Sequence, residues 1–409
     1  MKEVVVVDAV RLPVGRSGWK GDEKKGAYYQ TSSQTMVGAA IRALVERVQA
    51  MSPAFDPGRV EDVAVACAMQ IGDQGGNIGR LAVFAAGLPD SVAGWTLERY
   101  CPAGLQGINS QAQALACGSG DITIAAGVEN MSKYPIGSQF EAASGAGYLV
   151  QTDPEVLRRG ALQFQGVSAE MIAERYDLTR EEMDRFGLWS QQKSVESIRD
   201  GEWYSKRVVP MTIGEDGQAR TIESDERPRA EAVDDPEGFY AKMGTLPTRF
   251  KEGGRITAGS SSGIADGAAA TMLMTAEKAE ELGIEPMVRI RATAVAGDDP
   301  VIMLLAPIEA MHKALSRTGL TMDDIDVFEP NEAFASPVLA FCREFGLAFD
   351  DPRINPTGGA IAIGHPIGCS GVLYFTEMVH WMARNNLRYG LQTICGGGGT
   401  AVATIVERV

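Results

Sequence analysis

Histidine is nearly missing from this chain: three occur in 409 residues, His312, His365 and His380. Any reaction that needs an imidazole base has three candidates. Long apolar runs are missing too. Stretches such as ITIAAG (122–127) are far too short to span a bilayer, so a helical membrane anchor is not expected. The opening MKEVVVVDAV has one lysine and an apolar run broken by Asp8, which does not read as a signal peptide. The six cysteines (67, 101, 117, 342, 369 and 395) form no CxxC pair and lack the spacing of a small disulfide-bonded domain. Free thiols in a reducing cytoplasm are the expectation. Basic charge is in deficit, with 38 Lys and Arg against 53 Asp and Glu and a net charge of −15. Such a chain is repelled by phosphate backbones, so nucleic acid is excluded as a partner. A local basic patch for one small phosphorylated ligand is still compatible.

What is present reads as a soluble globular protein, 45% hydrophobic and 22% charged. The length predicts two or three domains. Glycine is abundant at 47 residues and clusters at a few sites, where backbone must approach backbone or ligand. VVVVDAV (4–10) reads as a buried parallel strand, TMVGAAIRALVERVQA (35–50) as a helix, and VEDVAVACA (60–68) as a second strand. PAGLQGINSQAQALACG (102–118) is helical with Gly118 as its stop, and DITIAAGVENM (121–131) is a third strand. This alternation predicts a mostly parallel, layered α/β domain.

Residues 126–240 change character. Gly-rich loops lead into two polar helices, around 168–178 and 180–201, and then into the charged SDERPRAEAVDDPEG (224–238). This is a long excursion packed on the main body, of the kind that often carries function. A second α/β pattern begins near 285: strand, helix PIEAMHKALSRTG (307–319), strand and loop IDVFEPNEAF (325–334), a helix, the glycine-rich INPTGGAIAIGHPIGCSG (354–371), a helix over 372–386, and two closing strands. The halves are alike in pattern rather than in letters, which suggests an internal duplication.

Four stretches carry chemistry. Cys101, in ERYCPAGLQGI, stands where an extended segment meets a helix. Pro102 fits the first helical position, which puts Cys101 at or next to an N-cap, where the helix dipole favours thiolate. A buried structural thiol is the competing reading. Cys395 closes a strand and meets four glycines in CGGGG; such a run brings backbone amides near a ligand or oxyanion, or forms a plain tight turn. Asn331, in EPNEAF, follows a strand and either donates to a carbonyl or shapes a turn. His365 and Cys369 are four apart, a spacing that suits zinc on a helix, but Pro366 and Gly368 favour a loop and no further ligands cluster there. His312 and His380 lie within helical segments, so His365 is the candidate base.

Together these stretches resemble the thiolases, coenzyme A-dependent acyl-transfer enzymes, and the resemblance spans the chain. It rests on VVVVDAVRLPVGR, ERYCPAGLQGI, GVENMS (127–132), ITAGSSSGIADGAAA, NEAFA, NPTGGAIAIGHPIGCSG and CGGGGTA. It implies duplicated α/β halves in a five-layer αβαβα core. The halves would be 1–125 with 241–280, and 281–409, and 126–240 would be an inserted loop domain that holds coenzyme A. It implies Cys101 as acylated nucleophile, His365 as its base and Cys395 as second acid/base. Asn331, through a water, and His365 would form one oxyanion hole, and the N–H groups of Cys101 and Gly397 the other. The glycines around His365 would let two thioesters approach. Arg229 would meet the nucleotide and Ser262 the pantetheine arm, with Gln165 and Phe334 on the substrate side. Coenzyme A would be a substrate, with no separate cofactor or metal, and the assembly a homodimer or homotetramer.

Four positions depart from common family patterns: Pro102 after the nucleophile, Ser260 where asparagine is frequent, Gln165 where many members have Met, and Phe164 where short-chain biosynthetic members commonly have His. They leave the acyl chain length open, with an acetoacetyl-CoA-specific acetyltransferase as the alternative. A decarboxylating condensing enzyme lacks a second catalytic cysteine, and an acyl-CoA or lipid carrier tends to lose the nucleophile or base.

Overall fold

In the computed structural model, which describes residues 1–18, 25–147, 152–160, 163–214 and 219–409, the four consecutive valines form the buried centre of the molecule. β1 (Val4–Arg11) is buried along its whole length. It joins β2 (Gly15–Arg16), β3 (Asp62–Ala66), β4 (Ala93–Leu97), β5 (Ile122–Asn130), β8 (Ala265–Thr275), β9 (Val288–Gly297), β10 (Val327–Pro330), β11 (Tyr389–Gly396) and β12 (Thr400–Arg408). The order is β10-β11-β12-β9-β1-β8-β5-β3-β4, with β2 beside β8; β6 (Met211–Ile213) and β7 (Arg220–Ile222) form a separate hairpin.

The duplication is plain in this order. β3-β5-β8-β1 in the first half matches β10-β11-β12-β9 in the second. In each set the first pair is parallel and the next two are antiparallel. The halves meet where β1 pairs with β9 through Val5–Arg289 and Val6–Val288. The expectation of a mostly parallel sheet is therefore corrected. Only β3–β4, β3–β5 and β10–β11 are parallel among the described strands. Continuous apolar strands signal burial on both faces, and a sheet sandwiched between helices provides that whatever its strand direction.

Helices α1 (Ser33–Met51) and α2 (Ile78–Ala86) cover the outer face of the first half, and α12 (Ala306–Thr318) and α13 (Ala335–Phe345) that of the second. Between the half-sheets lie α3 (Ala103–Ala116) and α14 (Ser370–Asn385), whose residues share one core with both inner faces. This gives the five layers. α3 and α14 touch backbone to backbone. A Cβ at Gly104 would lie 2.8 Å from Val372 N, and one at Gly371 would lie 2.0 Å from Leu105 N.

The halves differ at one connection. β11 returns to β12 through Gly397–Gly399, with Gly398 and Gly399 at φ 72° and 77°. The matching link from β5 to β8 carries the whole excursion. It contains α4 (Ser138–Gly145), α5 (Pro154–Arg158), α6 (Gln165–Arg175), α7 (Arg180–Arg199), α8 (Gly201–Ser205), α9 (Glu231–Asp234) and α10 (Pro236–Gly244). The boundaries at 125/126 and 240/241 fall inside β5 and α10, because the apolar strand runs on to Asn130 and the excursion on to the turn before β8. α11 (Ala276–Glu281) follows β8. Among the described residues no helix is long and apolar enough to cross a membrane.

A buried ionic cluster ties the excursion to the core. Arg11 of β1 grips Asp225 with two hydrogen bonds of 2.7 and 2.8 Å, and its Nε donates to Glu377 of α14 at 2.7 Å. Arg207 donates to the other Glu377 oxygen at 2.8 Å. The two guanidiniums outweigh burial and hold the Glu377 carboxyl at about 2, against an ordinary 4.5. A depressed carboxyl stabilises the fold above its unfolded pKa and loses that contribution as pH falls through its folded pKa. Two outcomes are expected. Glu377→Gln, which strands two arginines in the interior, lowers stability in urea denaturation by about 3–5 kcal/mol. In wild type, about 3 kcal/mol of stability disappears as pH drops from about 4.5 towards 2, and the variant lacks that portion of the acid transition.

Candidate active site

The chain leaves β4 and bends sharply at Tyr100, whose φ of 53° is in the left-handed region. For a bulky residue this costs about 1–3 kcal/mol, and such strain is held where surrounding contacts over-determine it. Here Glu98 accepts the Tyr100 N–H at 2.8 Å, and the Tyr100 carbonyl accepts from Ala103 N at 3.1 Å. Cys101 follows. α3 begins one residue later than expected, with Pro102 as its N-cap (φ −76°, ψ 0°), so Cys101 stands just before the cap.

Cys395 comes to this corner from the other half. Gly396 and Gly397 lie against the bend: a Cβ on Gly396 would meet Pro102 Cδ at 2.8 Å, and one on Gly397 would meet the Tyr100 ring at 3.4 Å. Side chains there would push the two thiols apart. The four glycines thus divide between two tasks, Gly396 and Gly397 at the contact and Gly398 and Gly399 in the turn. The tight-turn reading of this run holds for Gly398 and Gly399. The thiols are close enough that Cys395 opposes ionisation of Cys101. Asn331 follows β10, its N–H bonded to Thr393 O at 3.0 Å, and its amide faces Cys395. Both amide atoms are buried without a hydrogen-bond partner. A small cavity of about 20 Å³ opens beside Asn331, Thr393 and Cys395, room for one water.

His365 arrives on the loop before α14. Its N–H bonds Gly263 O at 2.8 Å. Its Nδ1 lies 2.6 Å from Ser370 Oγ, and that hydroxyl donates to Pro366 O at 2.9 Å. With the serine proton committed, Nδ1 is the donor to Ser370. Nε2 then carries the lone pair, and it is buried without a partner. The site therefore holds an unpaired imidazole acceptor and an unpaired amide among two thiols.

Burial rules the electrostatics. It pushes Cys101 far above the ordinary thiol value and Cys395 up to about 12, with the Asn331 amide acting against it at Cys395. It also holds His365 down at about 4, hence neutral. The sequence-based expectation of a thiolate favoured by the helix end is overturned, because desolvation exceeds any gain from the helix dipole. The resting site has two protonated thiols and a neutral imidazole.

The glycines around His365 do not serve the approach of substrate as expected. A Cβ on Gly368 would lie 2.7 Å from Cys67 Cα, and Gly371 packs on α3. They let protein backbone, rather than thioester, come close. The buried Glu129 carboxylate helps, accepting N–H groups from Ala68, Met69 and Gly368 at 2.8–3.1 Å.

The remaining residues line the approach. Gln165, first in α6, reaches Cys101 and favours its ionised form. Phe164, Phe250 and Phe334 form an aromatic run with centroids 6.3 and 5.6 Å apart. Ser262 is fixed by its N–H to Ala333 O at 2.9 Å. Ser260 caps the turn at Thr257 with its own hydroxyl, accepting the Thr257 N–H at 3.0 Å. Arg229 is exposed and contacts the others only through its neighbour Arg227. Arg227 itself is a residue the sequence reading passed over. It is half-buried, lies on Gly263 and Gly364, and donates to Ile264 O at 3.2 Å. Burial and two arginine neighbours, Arg16 and Arg229, hold it down at about 10. Its signal was visible in DERPR, as Ser370's was in GHPIGCSG. His312 stacks on Phe345 and His380 bonds Ala9 O, neither near this site. Cys369 is buried with its Cα against Gly127, and among the described residues no three His, Cys, Asp or Glu are grouped to hold a metal.

The family models for the thiolase N-terminal domain and the thiolase C-terminal domain match residues 4–277 and 284–408. The steroid 3-ketoacyl-CoA thiolase of Mycobacterium tuberculosis is 39% identical over all of this chain and 95% of its own. A 3-oxoadipyl-CoA/3-oxo-5,6-dehydrosuberyl-CoA thiolase of Escherichia coli is 36% identical over the full length of both. The crystal structure of the Bacillus anthracis acetyl-CoA acetyltransferase superposes with a TM-score of 0.86 at 32% identity, covering 100% of this chain and 99% of that one. With its two thiols, its imidazole and its duplicated halves, the chain belongs to the thiolase family of acyltransferases.

Proposed function

We propose that this thiolase cleaves 3-ketoacyl-CoA with coenzyme A, giving acetyl-CoA and a shortened acyl-CoA, or runs the reverse Claisen condensation. The observation that carries this reading is the meeting of Cys101 and Cys395, with the Asn331 amide facing Cys395 and an unpaired Nε2 on His365. In the first half-reaction His365 Nε2 takes the Cys101 proton, and the thiolate adds to the C3 carbonyl carbon. The C2–C3 bond breaks, its electron pair passes to the enolate of acetyl-CoA, and the Cys395 thiol protonates C2. In the second, the Cys395 thiolate takes the proton of coenzyme A, whose sulfur attacks the thioester. Cys101 leaves as thiolate and recovers its proton from His365. Both steps need oxyanion donors. Asn331 with a water, and the N–H groups of Cys101 and Gly397, suit that role; the nearby cavity has room for a water. No further cofactor enters.

Arg229, Arg227 and Ser262 give coenzyme A a basic, hydrogen-bonding path over the excursion, 126–240. Gln165 and the aromatic run from Phe164 to Phe334 border the acyl chain. The relatives act on acyl groups as different as steroid and dicarboxylic ones by their names, and this site could take more than acetoacetyl. Cytoplasmic free thiols suit the chemistry. A homodimer or homotetramer is supported by β4, an edge strand with Phe84 and Tyr100 exposed beside it.

Thiolysis of a ladder of 3-ketoacyl-CoA substrates from four carbons upward is the first test. Wild type is expected to cleave several and Cys101→Ser none; a peak at acetoacetyl-CoA alone would give the acetyltransferase reading. Acyl-CoA binding without an adduct on Cys101 would leave a carrier instead. Cys395→Ala is expected to keep acylation of Cys101 by acetyl-CoA, seen as an added mass on the intact protein, while cleavage of 3-ketoacyl-CoA falls by about 10²-fold or more. The pH profile has a definite sign. The base must be neutral and Cys395 protonated, so kcat/KM stays level from well below pH 6.5 to well above 9, with limbs set by groups near 4 and 12. An acidic limb at an ordinary imidazole value would contradict this assignment of His365.

A further inference from the structure

β10 and β11 run parallel with Glu329 directly opposite Gln392 and Pro330 opposite Thr393. Paired residues point to the same face of a sheet. Gln392 Nε2 donates to Gly371 O at 3.0 Å, which identifies that end of the amide as the nitrogen. Gln392 Oε1 is left buried with no donor, and so is Glu329 Oε2. Two acceptors face each other across adjacent strands, and neither can satisfy the other while Glu329 is ionised. The charged groups around Glu329 do not favour ionisation. Glu332 and Glu377 both oppose it, and Lys193 is the one cation acting on it. Lys193 already donates to Ile354 O at 2.7 Å, and Glu377 is held by Arg11 and Arg207. Glu332 is committed to Ser190, Asn355 and Ile361.

We propose that Glu329 is a neutral carboxylic acid in the folded protein and donates its O–H to Gln392 Oε1. One proton, the carboxyl's own, then satisfies both orphaned atoms. Burial and the neighbouring carboxylates push Glu329 strongly upward, the same direction. The bond is a clasp between the two strands just before each delivers its functional group. Asn331 follows Glu329 past Pro330 and hydrogen-bonds Thr393, and Cys395 lies further along β11 from Gln392. Glu329 is thus a positioning residue that sets the distance between the Asn331 amide and the Cys395 thiol. It touches no substrate.

Infrared difference spectroscopy of wild type against Glu329→Gln tests the protonation directly. A carboxylic-acid carbonyl band that shifts in D2O should be present in wild type at neutral pH and absent from the variant. Kinetics test the clasp, and they rest on the thiolase reading, whereas the infrared measurement does not. Glu329→Gln, whose amide can donate to Gln392, is expected to keep most of the activity. Glu329→Leu and Gln392→Leu are each expected to lower kcat about tenfold or more with KM for coenzyme A little changed, because the misplaced groups act in the transition state. Absence of the acid band overturns the proposal. So does a Glu329→Gln variant as impaired as Glu329→Leu, since that would mean the site needs a carboxylate. Should the leucine variants not fold, the infrared result decides alone.

Discussion

The active site depends on the contact of two helices that carry no catalytic side chain at the point where they touch. α3 and α14 meet through Gly104 and Gly371, closer than any residue with a Cβ would allow. Their N-terminal ends therefore lie side by side in the central layer. Cys101 precedes one and His365 precedes the other. Gly368 on Cys67 and Gly127 on Cys369 repeat the arrangement, so the interior is built around close backbone approach at several points.

This packing buries the site, and burial sets its electrostatics. It keeps both thiols protonated, with Cys395 adding to it at Cys101, and keeps the imidazole neutral. The same buried interior would be costly for Arg11, Arg207, Asp225 and Glu377 if they were not matched to one another in a closed set. That set links β1, α14 and the excursion, so the segment lying over the site is anchored to the layer holding the base.

Much of this was legible in the chain. The candidate site residues are those whose local chemistry was unusual, a cysteine before a proline and a glycine-flanked histidine and cysteine. The order of strands and helices followed from apolar runs and their breaks. Strand direction did not, because a valine-rich strand is equally buried in either orientation. Nor did ionisation: the sequence shows Cys101 near a helix end, while the depth that outweighs that helix is a property of the assembled layers. β4 was missed because AGWTL has one glycine and little alternation, and its identity as a strand comes from pairing with β3. Arg227 and Ser370 stand within DERPR and GHPIGCSG, but their partners, like those of Glu129, are set by the fold and not by local spacing. The resemblance to a family supplied roles that spacing alone left open, and its account of the glycines was the part the structure changed.

The two matched connections, β5 to β8 and β11 to β12, have opposite fates in one molecule. One is a short glycine turn that sits next to Cys395; the other holds over a hundred residues between its strands. Loop-closure entropy rises only with the logarithm of length, so the long connection is thermodynamically tolerable while the short one is fixed by geometry. Descent can therefore work on the two copies independently. A change of length in the excursion leaves the short turn beside Cys395 as it is. Two copies of one connection thus carry opposite constraints within a single chain.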